Sequence, residues 1–429
     1  MEKSFLEYQL SIDSLTVFSA LKQDPVISRL RGLLAVLAES TARISDTARS
    51  TSTGIAAASL RGDSSVDNSS LEPSADAVCL YSDLLAQLYP HGSDLSVYIR
   101  DLVLTDDNFY VQAMAAGRLL SDEIQDAARR ELNNLQDLAG LPCGDVRTAI
   151  GYDGFLPVWT NSNIYLISDF MTKLEQIPVT GYGIYADYQF FRISGGKITP
   201  VAHPDVQPLD QLFGYERERA LILRNTEALL NGTGASNMLL YGDAGTGKSS
   251  TIKAVAAEYA DRGLRIIEVK KNQLYQIPDV LEELSSNPLK FILFIDDLSF
   301  SGNDDNFSAL KATLEGSVAG CGGNTVIYAT SNRRHLVKET FGDRAGDELH
   351  VNDTMQETMS LAARFGLTIT FSKPTKDEYL DIVRALASEY GLDVPDAELV
   401  RRAEAHAIRR NGRSPRTAKQ FVELVKIGL

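Results

Sequence analysis

The chain has 429 residues, room for two domains of ordinary size, and is 44% hydrophobic against 23% charged, so it can bury sizeable cores. Its 42 Lys and Arg face 57 Asp and Glu, a formal net charge of −15 that excludes a whole-molecule attraction to nucleic acid or an anionic membrane and leaves room only for local basic patches. Cys79, Cys143 and Cys321 are too few and too scattered for a disulfide scaffold or a metal framework. No apolar run reaches the roughly 20 residues of a membrane span. The opening MEKSFLEYQLSIDSL lacks the apolar core of a signal peptide, and a cytoplasmic protein with no membrane contact is expected.

Residues 1–40 repeat apolar side chains at three and four, through Phe18, Leu21, Val26, Ile27, Leu30, Leu33, Leu34 and Leu37, which predicts helix. From Ser40 to Asp76 the composition turns to Ser, Thr, Ala and Asp, with no aromatic between Phe18 and Tyr81; this stretch reads as a flexible loop. Helical patterns resume at 76–90, 93–103 and 107–138. YQFFRISGGKITPV (188–201) alternates about Gly195-Gly196 and predicts a β-hairpin. Residues 1–200 thus read as a mostly helical N-terminal domain. They hold no catalytic constellation, and His91 and His203 stand alone.

From about 205 onward the pattern changes. NMLLYG (237–242), LRIIEVKK (264–271), FILFIDDL (291–298), NTVIYATSN (324–332) and LTITFS (367–372) are short β-rich apolar runs with helical stretches between them. Such alternation predicts a parallel sheet covered by helices on both faces. Beyond Pro374, three helical segments (375–390, 395–409, 414–427) predict a small all-α subdomain. The expected division is 1–200, 205–373 and 374–429.

Within this half, Gly242, Asp243, Ala244, Gly245, Thr246, Gly247, Lys248 and Ser249 fit G-x-x-x-x-G-K-[ST] without a mismatch. A strand leads in and the helix KSSTIKAVAAEYA leads out, carrying Ser250. Glycines at 242, 245 and 247 let backbone N–H groups curl toward phosphate oxygens at a helix N-terminus. Lys248 is placed to neutralise β- and γ-phosphates, and the Ser249 hydroxyl to ligate Mg²⁺. Phe291–Asp297 is an apolar strand ending in two carboxylates, as a Walker B segment requires. Asp296 would hold the metal and Asp297 activate a water; the other reading is a turn or helix cap. Asn332, at the end of VIYATSN, would sit beside the γ-phosphate if its strand lies between the other two. Arg364 and Arg416 can reach phosphate bidentately or can be surface ion-pair residues. Phe213 and Tyr215 read equally as walls of a base pocket or as core aromatics. Arg401, Arg402, Arg409, Arg410, Arg413 and Arg416 form a basic island in an acidic chain, a solvated face or a nucleic-acid patch. His335 and His350 are too far apart to make a metal site.

The order of P-loop, Asp-Asp Walker B, Asn, Arg-Phe-Gly and a helical segment with Gly-x-x-x-Arg resembles an AAA+ ATPase. More narrowly, YGDAGTGKSSTIKA, FILFIDDLSF, LKATLEG, IYATSNRRHL, ARFGLTITF and GRSPRTAKQF resemble the bacterial family catalogued as domain of unknown function 815, over about 205–429. The resemblance implies a P-loop NTPase with a five-stranded parallel sheet in the order 5-1-4-3-2 and a C-terminal helical lid. It also implies that Asn332 acts as sensor 1, Arg364 as arginine finger and Arg416 as sensor 2. The chain departs from the family at Ala362-Ala363, where Ser-Asp usually precedes Arg-Phe-Gly. ATP and Mg²⁺ are the implied cofactors and a homo-oligomer the implied assembly, with an unidentified protein partner on the N-terminal domain. Two other functions stay open: a nucleotide-dependent DNA-binding loader, supported by the basic lid and Asp-Asp, and an ATP-gated scaffold with little turnover.

Overall fold

The computed structural model describes residues 3–58 (backbone alone from 44), 75–298, 310, 311, 314, 323–332, 363–410 and 412–429. Cys321, His335, His350, Ala362 and the segment 59–74 lie outside them. The chain divides into two compact units, Met1–Gln176 and Ile177–Leu429, so the boundary falls earlier than the expected 200.

The first unit is helical, and the apolar residues from Phe18 to Leu37 named above are all buried. Its longest helix, Pro25–Ala58, starts with Pro25 and is capped by Asp24, whose Oδ1 accepts the N–H of Val26 and Ile27. It runs through the first half of the stretch expected as a loop from Ser40. Composition there lacks core-forming residues, yet Ala and Arg favour helix and no proline interrupts it, so the backbone continues past its buried face. The expected helix 107–138 is instead two, Phe109–Ala115 and Asp122–Ala139, broken at Gly117, which takes a positive φ of 67°. Glu131 on the second of these is buried and accepts backbone N–H groups from Thr16, Val17 and Phe18, holding the turn that precedes the long helix.

The second unit is built on one sheet: β1 (Phe190–Ser194), β2 (Lys197–Pro200), β3 (Met238–Gly242), β4 (Leu264–Glu268), β5 (Lys290–Ile295), β6 (Thr325–Ser331) and β7 (Leu367–Phe371). Their order is β2-β1-β4-β5-β6-β3-β7. All pairs are parallel except the β1–β2 hairpin, whose Gly195-Gly196 turn has positive φ at both residues. The expectation of five strands in the order 5-1-4-3-2 is therefore corrected to seven in this order. The hairpin, expected in the N-terminal domain, instead joins the edge beside β4, where Phe190, Phe191 and Arg192 pair with Ile266, Ile267 and Glu268. The strands β7-β3-β6-β5-β4 run next to one another inside the larger sheet.

Alternation along each strand splits the core in two. Met238, Leu240, Ile266, Ile292, Phe294, Tyr328 and Ile369 face the helices Glu216–Leu230 and Lys248–Glu258. Leu239, Ile267, Leu293, Ile295, Ile327 and Ala329 face Ile277–Leu284 on the other side. Apolar residues on both faces explain why these strands read as continuous apolar runs. Three helices, Lys376–Glu389, Asp396–Arg409 and Pro415–Lys426, then pack around their own core of Tyr379, Val383, Ala403, Phe421 and Val422.

A buried charge ties β4 to the chain segments beside it. Arg265 on β4 donates to the carbonyls of Tyr185, Ala260, Leu264 and Thr180 at 2.8–3.1 Å, and burial pulls its guanidinium below the ordinary value. Arg265→Met keeps much of the volume but removes all four of these charge-assisted bonds. It should destabilise the second unit by about 3 kcal/mol or more, read from denaturant midpoints.

Candidate functional site

The turn 242–247 joins β3 to the helix Lys248–Glu258. Its glycines are there for two different reasons. A Cβ on Gly242 (φ 135°) would lie 2.1 Å from the Phe371 carbonyl oxygen, so only glycine lets β3 end against β7. Gly247 (φ 89°) is the left-handed N-cap residue that turns the chain into the helix. Thr246 closes the loop by donating from Oγ1 to the Asp243 carbonyl at 2.8 Å, and Asp243 Oδ2 accepts the Lys373 N–H at 3.0 Å. Ala244 is exposed at the tip.

Lys248 is buried beneath this loop. Its Nζ donates to the carbonyls of Gly242 (3.0 Å) and Asp243 (2.7 Å) and to Asn332 Oδ1 (3.0 Å). Desolvation pulls the ammonium below its ordinary pKa, with Arg416 acting in the same direction; the Asp243, Asp296 and Asp297 carboxylates oppose it. Asn332 passes the connection on, donating from Nδ2 to Asp297 Oδ1 at 2.8 Å. The strand of Asn332, β6, lies between β3 and β5 as the expected placement requires.

On the other side, Ser249 Oγ donates to Asp296 Oδ1 at 2.6 Å. Thr330, a residue not singled out in the sequence, donates to the same oxygen at 2.6 Å and accepts the Asp297 N–H at 3.0 Å. Asp297 has φ 51°, one of two non-glycine residues with positive φ among those described. Short Asp and Asn side chains tolerate that region best, which gives a backbone reason for a second Asp where Glu would fit poorly.

A cleft of about 300 Å³ opens beside the loop. Gly245, Thr246, Gly247, Ser249 and Ser250 line it together with Phe213, Tyr215, Pro415, Arg416 and Lys419. Tyr215 also stacks on Phe371, with ring centres 5.1 Å apart, and donates from its hydroxyl to the Ser372 carbonyl. Phe213 packs partly against the core of the last three helices, so both aromatics line the cleft while serving a core. The Arg416 N–H donates to the Gly245 carbonyl at 3.2 Å, tying the last helix to the loop. Arg364, which precedes β7, is not part of the cleft lining, and neither are Lys248, Asp296, Asp297 and Asn332. Asp205, Gln207 and Arg219 also line the cleft, and no motif marked them in advance. The basic island is partly neutralised: Arg413 makes a two-pronged bond to Glu404, and Arg402 pairs with Glu398.

A family described as protein of unknown function (DUF815) matches residues 185–427, more than half of the chain. The chain belongs to this family. Its DUF815 region starts about twenty residues ahead of the resemblance at 205–429 and so takes in the β1–β2 hairpin, in agreement with the sheet. No curated protein matches. Solved structures similar to the DUF815 chain include a variant of RuvB from Thermotoga maritima, 19% identical with a TM-score of 0.35, covering 51% of this chain and 64% of that one. Another, titled a RuvB Holliday junction branch migration motor from the same organism, is 17% identical with a TM-score of 0.31, covering 52% of this chain and 74% of that one. The chain thus spans less than two thirds of the first of these.

Proposed function

We propose that the chain is an AAA+ ATPase that binds and hydrolyses Mg-ATP, working as an oligomer to remodel or regulate a macromolecular partner. The observation that carries this reading is the convergence of Lys248, Asn332 and Asp297 in one hydrogen-bonded line beside a glycine loop at a helix N-terminus.

The donor set fits the cation. Ser249 Oγ and Asp296 Oδ1 are hard oxygen ligands already within 2.6 Å of each other, and no cluster of three or more His, Cys, Asp or Glu competes among the described residues. Bound there, Mg²⁺ would neutralise charge on the β- and γ-phosphate oxygens. Gly245, Thr246, Gly247, Lys248, Ser249 and Ser250 present N–H groups and one ammonium to the phosphates. To do so, Lys248 exchanges the loop carbonyls for phosphate oxygens. Phe213 and Tyr215 flank the base. Asp297 accepts the proton of the attacking water, and Asn332 holds its carboxylate in place. Arg416 reaches phosphate from the same chain's last helix, and Arg364 from a neighbouring subunit.

The first unit is assigned to partner binding, because among the described residues the second holds no other recognition module beyond the cleft. Pairing of Arg402 and Arg413 with glutamates weighs against a DNA-binding lid. A cytoplasmic setting stays part of the proposal, on cysteine usage. No helix among the described residues is long and apolar enough to cross a membrane.

Lys248→Ala removes the ammonium aimed at the phosphates, so Mg-ATP affinity should fall by about tenfold or more, ~1.4 kcal/mol per decade. A fluorescent-nucleotide titration measures this, and unchanged affinity would remove Lys248, and the loop with it, from nucleotide binding.

A further inference from the structure

We propose that Thr330 is a positioning residue that sets the geometry of both acids of the Asp296-Asp297 pair; the proposal rests on the nucleotide-site reading above. Strand alternation places Thr330 on the same face of β6 as Tyr328, which packs toward the helix that begins at Lys248. It is 2% exposed, at the point where β6 passes the end of β5. Three bonds tie it to the acidic turn. Its hydroxyl hydrogen goes to Asp296 Oδ1, its hydroxyl oxygen receives the Asp297 N–H, and its carbonyl accepts the Leu298 N–H at 2.7 Å.

Each bond has a consequence for the site. Ser249, Thr330 and the Asp297 N–H all donate to Oδ1 of Asp296, and Thr330 remains as its side-chain anchor when the Ser249 hydroxyl turns to a cation. The bond from the Asp297 N–H helps hold Asp297 at its left-handed φ of 51°, which aims the carboxylate at Asn332. Thr330 touches neither phosphate nor water. It acts through Asp296 and Asp297.

Thr330→Val tests this, because valine keeps the branched shape and strand preference and loses only the hydroxyl. Two quantities are read on full-length protein: Mn²⁺ binding in the presence of a non-hydrolysable ATP analogue, followed by the loss of free-Mn²⁺ signal, and kcat against KM for ATP. Mn²⁺ affinity should fall about tenfold or more and kcat with it, while metal-free nucleotide affinity stays put and Thr330→Ser restores both. A valine variant that binds Mn²⁺ as the parent does, or a serine variant as damaged as the valine one, would overturn the proposal. If the valine protein fails to fold by circular dichroism, Thr330→Ala against Thr330→Ser supplies the same contrast. An unaltered protein that binds no nucleotide would overturn the ATPase reading and this proposal with it, whereas an unaltered protein that binds nucleotide and Mn²⁺ beside an unchanged valine variant would overturn the proposal alone.

Discussion

Arg364→Ala subunits mixed with Asp297→Asn subunits should regain an ATP turnover that neither preparation shows alone. Arg364 sits just before β7, and on the proposed reading it reaches the phosphate of a neighbouring chain. Arginines supplied in this way are worth roughly 10³–10⁵ in turnover, or about 4–7 kcal/mol of barrier. Arg364→Ala alone should keep Mg-ATP affinity and lose hydrolysis on that scale. In a mixed oligomer an Arg364→Ala site retains Lys248 and Asp297, and its Asp297→Asn neighbour supplies the arginine. Specific activity should also rise with protein concentration as subunits assemble. Absence of rescue in oligomers verified to be mixed would assign Arg364 to its own chain's structure.

Asp297→Asn should bind Mg-ATP with parental affinity while turnover drops about 10²–10⁴-fold, the range a positioned general base supplies. This substitution is clean because asparagine tolerates positive φ and keeps an Oδ1 to accept the Asn332 amide. What is removed is the capacity to take a proton, together with one negative charge facing Lys248. Steady-state phosphate release beside a binding titration separates the two effects, and near-parental turnover would reduce Asp297 to a capping residue of the turn after β5. The same variant, holding nucleotide without consuming it, is the natural bait for the partner.

Most of the candidate site is legible in the sequence because its parts are local. The P-loop is eight consecutive residues whose glycines have backbone reasons, and the Asp-Asp pair ends a strand whose apolar run is unmistakable. Asn332 becomes legible once β6 is known to lie between β3 and β5. Thr330 was legible in principle, two residues beyond Tyr328 on the same strand face, but nothing in VIYATSN distinguishes it from a strand-propensity threonine. Its value depends on β5 ending one strand away, a long-range fact. The hairpin at 190–200 was readable as a hairpin through Gly195-Gly196, whereas its allegiance to β4 depends on pairing that no local pattern encodes. The helix through Ser40–Ala58 is not legible from composition, because few core-forming residues do not by themselves exclude a helix. Helical backbone needs only the absence of breakers once a buried face has nucleated it.

The most direct test of the central claim is phosphate release from ATP by the purified, full-length protein with and without Mg²⁺, alongside Lys248→Ala. Mg²⁺-dependent release that vanishes with chelator and in the Lys248→Ala protein is the expected result. Release at background from protein that is oligomeric and saturated with Mg-ATP would contradict it.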